Sequence, residues 1–195
     1  MTKKTPIVII AFLFTISVLV LGYILLGIIP MFLFAFGFLG GFILWLLIPT
    51  KATFRTIKIP YFVALAFFIA HKAEEHYHGF FPALSKITGV PVPETNSIGV
   101  YLLYAAAAAW LLIPLLVSRG YQFGYYLAWT FFTSMGVTEL AHFVFPFFTS
   151  DPYGYFPGMG SVFFLAPVAW AGMYQLSRKF ISLKRFKSRV KMKHA

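Results

Sequence analysis

Six apolar stretches, at about residues 7–27, 31–48, 59–78, 98–117, 121–148 and 158–177, leave this chain few ways to fold. Each approaches the ~20 residues that a helix needs to cross a bilayer. In lipid a backbone must satisfy its own hydrogen bonds, so such stretches become helices packed against one another. The expectation is an all-α polytopic membrane helical bundle of about six transmembrane helices over residues 1–177, with a basic cytoplasmic tail over 178–195. Composition agrees, because 60% of the 195 residues are hydrophobic and 11% charged, with a mean hydropathy of +0.82, which excludes an ordinary water-soluble domain.

The first two stretches form one apolar run. Gly27 and Pro30 in "LGIIPMF" mark a tight turn, since an unbroken helix of roughly 40 residues would be twice the hydrocarbon thickness. The start of the chain has the lysines and apolar run of a signal peptide but no small-residue cleavage site, and reads as a retained first span.

Charge then orients the bundle. Six spans put Lys3, Lys4, Lys51, Arg55, Lys58, Arg119 and the basic tail on one side, and only Lys86, with Glu94 and Asp151, on the other. By the positive-inside rule both termini are cytoplasmic. The net charge of +11 is thus topology, and nucleic acid is not an expected partner. Phe180, Leu183, Phe186 and Val190, spaced among the basic residues of the tail, suit the surface of an anionic leaflet. Gly37 and Gly41, four apart, and the run Ala105 to Ala109 suit close helix packing. With no cysteine, disulfides, thiolate metal sites and Cys nucleophiles are excluded.

The polar residues that remain are concentrated. Of five acidic residues, Glu74, Glu75 and Glu139 fall inside apolar spans, where a lipid-facing carboxylate costs roughly 2.5–3.5 kcal/mol. They must therefore face partners or a cavity. At ~100° per residue, His71, Glu74, Glu75 and His78 share one helical stripe, while His76 and Lys72 lie off it. "TELAHF" places Glu139 and His142 three apart on one face at matching depth. Both sets contain Glu-x-x-His, the spacing with which helical bundles build carboxylate-bridged dinuclear iron or manganese sites. The expected ligands are His71, Glu74, Glu75, His78, Glu139 and His142, around iron, which includes a di-iron centre, in preference to zinc. Lys72 at i+3 from Glu75 offers a metal-free salt bridge instead. His194, in the tail, is expected to take no part.

The run His71-Lys72-Ala73-Glu74-Glu75, followed by "HGFFP", resembles the HXXEE-motif family of small bacterial and archaeal membrane proteins. The resemblance is specific over about a dozen residues and implies that this stripe is a site and that the protein sits in a prokaryotic cytoplasmic membrane, though the family carries no settled reaction. A looser likeness is to the sterol-isomerase-like membrane fold, in which a buried His and Glu shuttle protons beneath a hydrophobic substrate; the second glutamate and the repeated Glu-x-x-His depart from it.

Taken together, the residues point to a membrane-embedded, metal-dependent enzyme acting on a lipid or other hydrophobic substrate, an oxidoreductase before a hydrolase, with Glu74, Glu75 and Glu139 as its acid/base and catalytic carboxylates. The alternatives are a metal-free acid/base lipid isomerase and a metal or proton transporter. A transporter is disfavoured by the lack of an internal repeat and by the short chain, which would need a homo-oligomer for alternating access.

Overall fold

The computed structural model describes residues 5–50, 52–94 and 96–193, with side chains as far as Arg178. Lys3, Lys4, Lys51, His194 and the spaced apolar side chains of the tail lie outside the described residues. The described chain is helical with no strand. Its helices are α1 (Thr5–Leu26), α2 (Ile28–Leu47), α3 (Phe54–Tyr77), α4 (Phe80–Thr88), α5 (Ile98–Ser118), α6 (Gln122–Gly136) and α7 (Met159–Lys193). Five of them, α1, α2, α3, α5 and α7 over Met159–Arg178, are long and apolar enough to span a membrane. The protein is an integral membrane helical bundle.

The boundaries follow local chemistry. α1 and α2 part at Gly27, where the sequence placed the turn. α5 begins on Ser97, whose hydroxyl accepts the Val100 N–H. Further along α5, Pro114 has no N–H to offer the carbonyl of Trp110, four residues back. The helix tightens there into a 3-10 turn over Ala109–Leu112, and the Trp110 carbonyl accepts from the Ile113 N–H and from the Tyr61 hydroxyl of α3 at 3.2 Å.

The fifth apolar stretch differs from expectation. Rather than one long helix over 121–148, it forms α6, of 15 residues, and then two 3-10 segments, Thr138–Phe143 and Phe145–Phe148. At 1.5 Å per residue α6 is only about 22 Å long, short of the hydrocarbon thickness. Two contacts explain the stop: the Gly136 carbonyl is taken by the Trp170 indole N–H of α7 at 2.6 Å, and Thr138 donates to the Leu33 carbonyl of α2 at 3.0 Å. Non-α backbone survives at membrane depth only inside protein, and Thr138, Ala141, His142, Phe145 and Pro146 are all buried.

α6 is the axis of the bundle, buried at every residue from Gly124 to Gly136. Two of its hydroxyls are paired inward, Tyr126 with Thr15 at 2.8 Å and Thr130 with the Trp110 indole at 3.1 Å. Gly37 and Gly41 let α2 approach it as their spacing suggested. A Cβ on Gly41 would stand 2.6 Å from the Thr130 Cα, and one on Gly37 2.6 Å from the Thr138 hydroxyl. Around Gly37 α2 widens into a π turn, Ala35–Leu39, which seats Phe38 in a stack on Trp110, centroids 5.4 Å apart. The alanine run packs into the core through Ala106, Ala107 and Ala109, and Ala106, Ala107 and Ala108 also line a cavity.

Candidate metal centre

Four side chains meet where the C-terminal end of α3, the 3-10 segment after α6 and the entry to α7 come together. His71 and Glu75 are one helical turn apart on α3, and both are buried. Glu139 and His142 lie on the 3-10 segment, whose 3.0 residues per turn set i and i+3 directly in line. The chain's departure from α-helix therefore aligns this pair better than an α-helix would.

The contacts close a ring of alternating nitrogen and oxygen. His71 Nε2 lies 3.1 Å from Glu75 Oε1 and 3.2 Å from Glu139 Oε2, and His142 Nε2 lies 3.3 Å from each of the same two oxygens. All four atoms are within 4.8 Å of one another. Four atoms with such edges share a centre at about 2.0 Å if tetrahedral and about 2.3 Å if square, the bond lengths of first-row divalent ions to imidazole and carboxylate.

The far side of each imidazole fixes its tautomer. His142 Nδ1 is 2.5 Å from the Pro157 carbonyl, which can only accept, so Nδ1 carries the hydrogen. Ser161 donates its hydroxyl hydrogen to the Gly158 carbonyl at 3.2 Å, which leaves its oxygen to accept from His71 Nδ1–H at 2.9 Å. Both rings thus turn Nε2 toward two carboxylate oxygens, and a neutral ring aims a lone pair at them. Four electron-rich atoms facing one point repel unless a cation sits among them or both rings are protonated. Imidazoles held from behind by a carbonyl or hydroxyl are the usual arrangement around a bound metal, so the donor set fits one ion.

Not every expected ligand is in the ring. Glu74 faces the other way and clamps the start of α7, accepting from the Gly160 N–H at 2.9 Å, the Ser161 N–H at 2.8 Å and the Tyr155 hydroxyl at 2.6 Å. A carboxylate on the first N–H groups of a helix is favoured by the helix dipole. Partial desolvation, with the Glu74 carboxylate beside it, pushes the Tyr155 phenol up to about 12, so it stays a donor at physiological pH. His78 leaves the stripe because α3 ends at Tyr77. Gly79 follows at φ +70°, a left-handed conformation that suits glycine, and it turns the chain before His78 can complete the last helical turn. His78 is exposed beside Tyr155, ring centroids 5.2 Å apart, and His76 is exposed as its helical phase indicated. Lys72 forms the salt bridge that its spacing allowed, 2.6 Å from Glu75 Oε2, while Glu75 Oε1 stays in the ring.

Sequence reasoning missed the segment that holds the imidazoles. "FPGMGS" supplies the Pro157 carbonyl, the Ser161 hydroxyl and Gly158, whose φ of +98° suits glycine. A Cβ there would stand 2.6 Å from His142 Nδ1 and 2.7 Å from His71 Cε1. The Pro-Gly pair was the one readable signal, and it indicates a turn without indicating what the turn touches.

Beside the ring is a cavity of about 490 Å³. Phe34 and Phe38 of α2, Phe68 of α3, Trp110 of α5 and Phe145 form much of its apolar wall, and Lys72, Glu75, Glu139 and His142 form its polar end. Its volume is in the range of small-molecule sites, roughly 300–1,000 Å³. Comparisons with protein-family models, curated proteins and solved structures gave no match to the chain.

Proposed function

We propose that the protein is a membrane-embedded, metal-dependent enzyme acting on a lipid or other long apolar substrate, with one ion held by His71, Glu75, Glu139 and His142. The observation that carries this reading is the pair of Nε2 atoms facing two carboxylate oxygens, with each Nδ1 committed to an acceptor behind it. The adjoining apolar cavity supports the substrate class. Two carboxylates match the charge of a divalent ion, and two histidines with carboxylates are the donors of non-haem iron oxygenases, so iron precedes zinc and an oxidoreductase precedes a hydrolase. When bound, such an ion would supply Lewis acidity or, as iron, oxygen chemistry. A single ion replaces the dinuclear reading, because Glu74 and His78 point elsewhere.

The chain's own residues divide the work. Glu75 and Glu139 bring negative charge to the polar end of the cavity, and Lys72 holds the outer oxygen of Glu75. Pro157 and Ser161 keep both imidazoles turned inward. Resemblance to the HXXEE-motif family fits this division, since His71 and Glu75 enter the ring while Glu74 locks α7 behind it.

A second reading, a metal-free acid/base isomerase, is favoured by one observation: every N···O edge of the ring is also a hydrogen-bond distance. Elemental analysis of protein purified without added metal or chelator separates the two. About one equivalent of iron or zinc per chain, lost in Glu139→Gln, supports the metal enzyme. No metal in fully folded, active protein selects the isomerase.

A further inference from the structure

We infer that the cavity takes a single-chain carboxylate, a long-chain fatty acid, with its head group at Lys72. This rests on reading the cavity as the substrate site. Lys72 stands where the apolar wall meets the ring, its ammonium 5.4 Å from the Phe68 ring centroid. An ammonium has three donors and Glu75 Oε2 occupies one of them. The Lys72 side chain keeps 40% of its surface accessible.

Charge decides the head group. A divalent ion balances Glu75 and Glu139, so Lys72 leaves the polar end of the cavity with one positive charge to spare. Glu74 does not cancel it, being held by the Gly160 and Ser161 amides at the start of α7. Apart from the ring, Lys72 and His76, no lining residue is ionisable except Tyr104. An uncompensated charge at the end of an apolar cavity is unfavourable. A carboxylate on an alkyl chain satisfies both the charge and the wall. A matched alcohol or methyl ester satisfies only the wall, and an alkylammonium is repelled.

The test is equilibrium binding of radiolabelled palmitate, with hexadecanol and methyl palmitate as competitors, to the full chain in a non-ionic detergent at neutral pH, as purified and after chelation. Palmitate should bind at least about tenfold more tightly than either neutral analogue. Lys72→Gln should abolish that preference and Lys72→Arg should keep it. Equal binding of palmitate and hexadecanol by the unmodified protein overturns the inference, as does a preference that survives in Lys72→Gln. If elemental analysis finds no metal while the palmitate preference persists, the metal reading fails and the carboxylate site stands. If metal is present without the preference, the reverse holds.

Discussion

His71 Nδ1 lies 2.9 Å from the Ser161 hydroxyl, across 90 residues of chain, so the first turn of α7 determines which nitrogen of an α3 imidazole faces the ring. Ser161→Ala should weaken metal binding on the order of 10–100-fold without unfolding the protein, as loss of a hydrogen bond behind a ligand does elsewhere. Ser161→Thr should retain most of the affinity. Competition with a chromophoric chelator measures both, and an unchanged affinity in Ser161→Ala would show that the tautomer assignment is wrong.

Gly158 should tolerate no side chain. In Gly158→Ala the new methyl must displace both imidazoles, and the residue must hold φ near +98°, a strain of about 1–3 kcal/mol. The expected outcome is loss of bound metal together with a lower melting temperature. Metal content and a thermal melt on the same preparation decide it, and a variant that melts lower but keeps its metal would disprove the contact with the rings.

The neighbouring glutamates of α3 should separate cleanly. Glu75→Gln should lose metal. Glu74→Gln should keep metal at full stoichiometry while destabilising the fold by about 1–3 kcal/mol, because the Gly160 and Ser161 N–H groups meet different carboxylate oxygens and the amide NH2 would face one of them, donor to donor. His78→Ala and His76→Ala should keep both metal and stability. Metal loss in His78→Ala would return His78 to the ligand set and require α3 to extend past Tyr77.

Topology can be tested directly, because the chain has no native cysteine. Asn96 and Ser118 are exposed at opposite ends of α5. Asn96→Cys in intact cells should react with a membrane-impermeant maleimide, and Ser118→Cys should react only after permeabilisation. The opposite pattern would invert the orientation drawn from the charge split.

Residue order alone sets the environment and the inventory. Apolar stretches of bilayer length force helices because lipid offers the backbone no hydrogen-bond partners, and the scarcity of acidic residues makes Glu75 and Glu139 conspicuous. Helical phase was enough to pair His71 with Glu75 and to set His76 apart, since both relations are local to one helix. The remainder depends on contacts between helices. Phase put Glu74 and His78 on the same stripe as the ligands, but which carboxylate turns to the ring depends on where the amides of α7 lie, and His78 depends on where Gly79 ends the helix. The break after Gly136 depends on Trp170 and Leu33, distant in sequence, which satisfy backbone and side-chain groups that a longer helix would have left to itself. Periodicity records what each helix can present; the neighbour that accepts or donates the next hydrogen bond fixes what it does present.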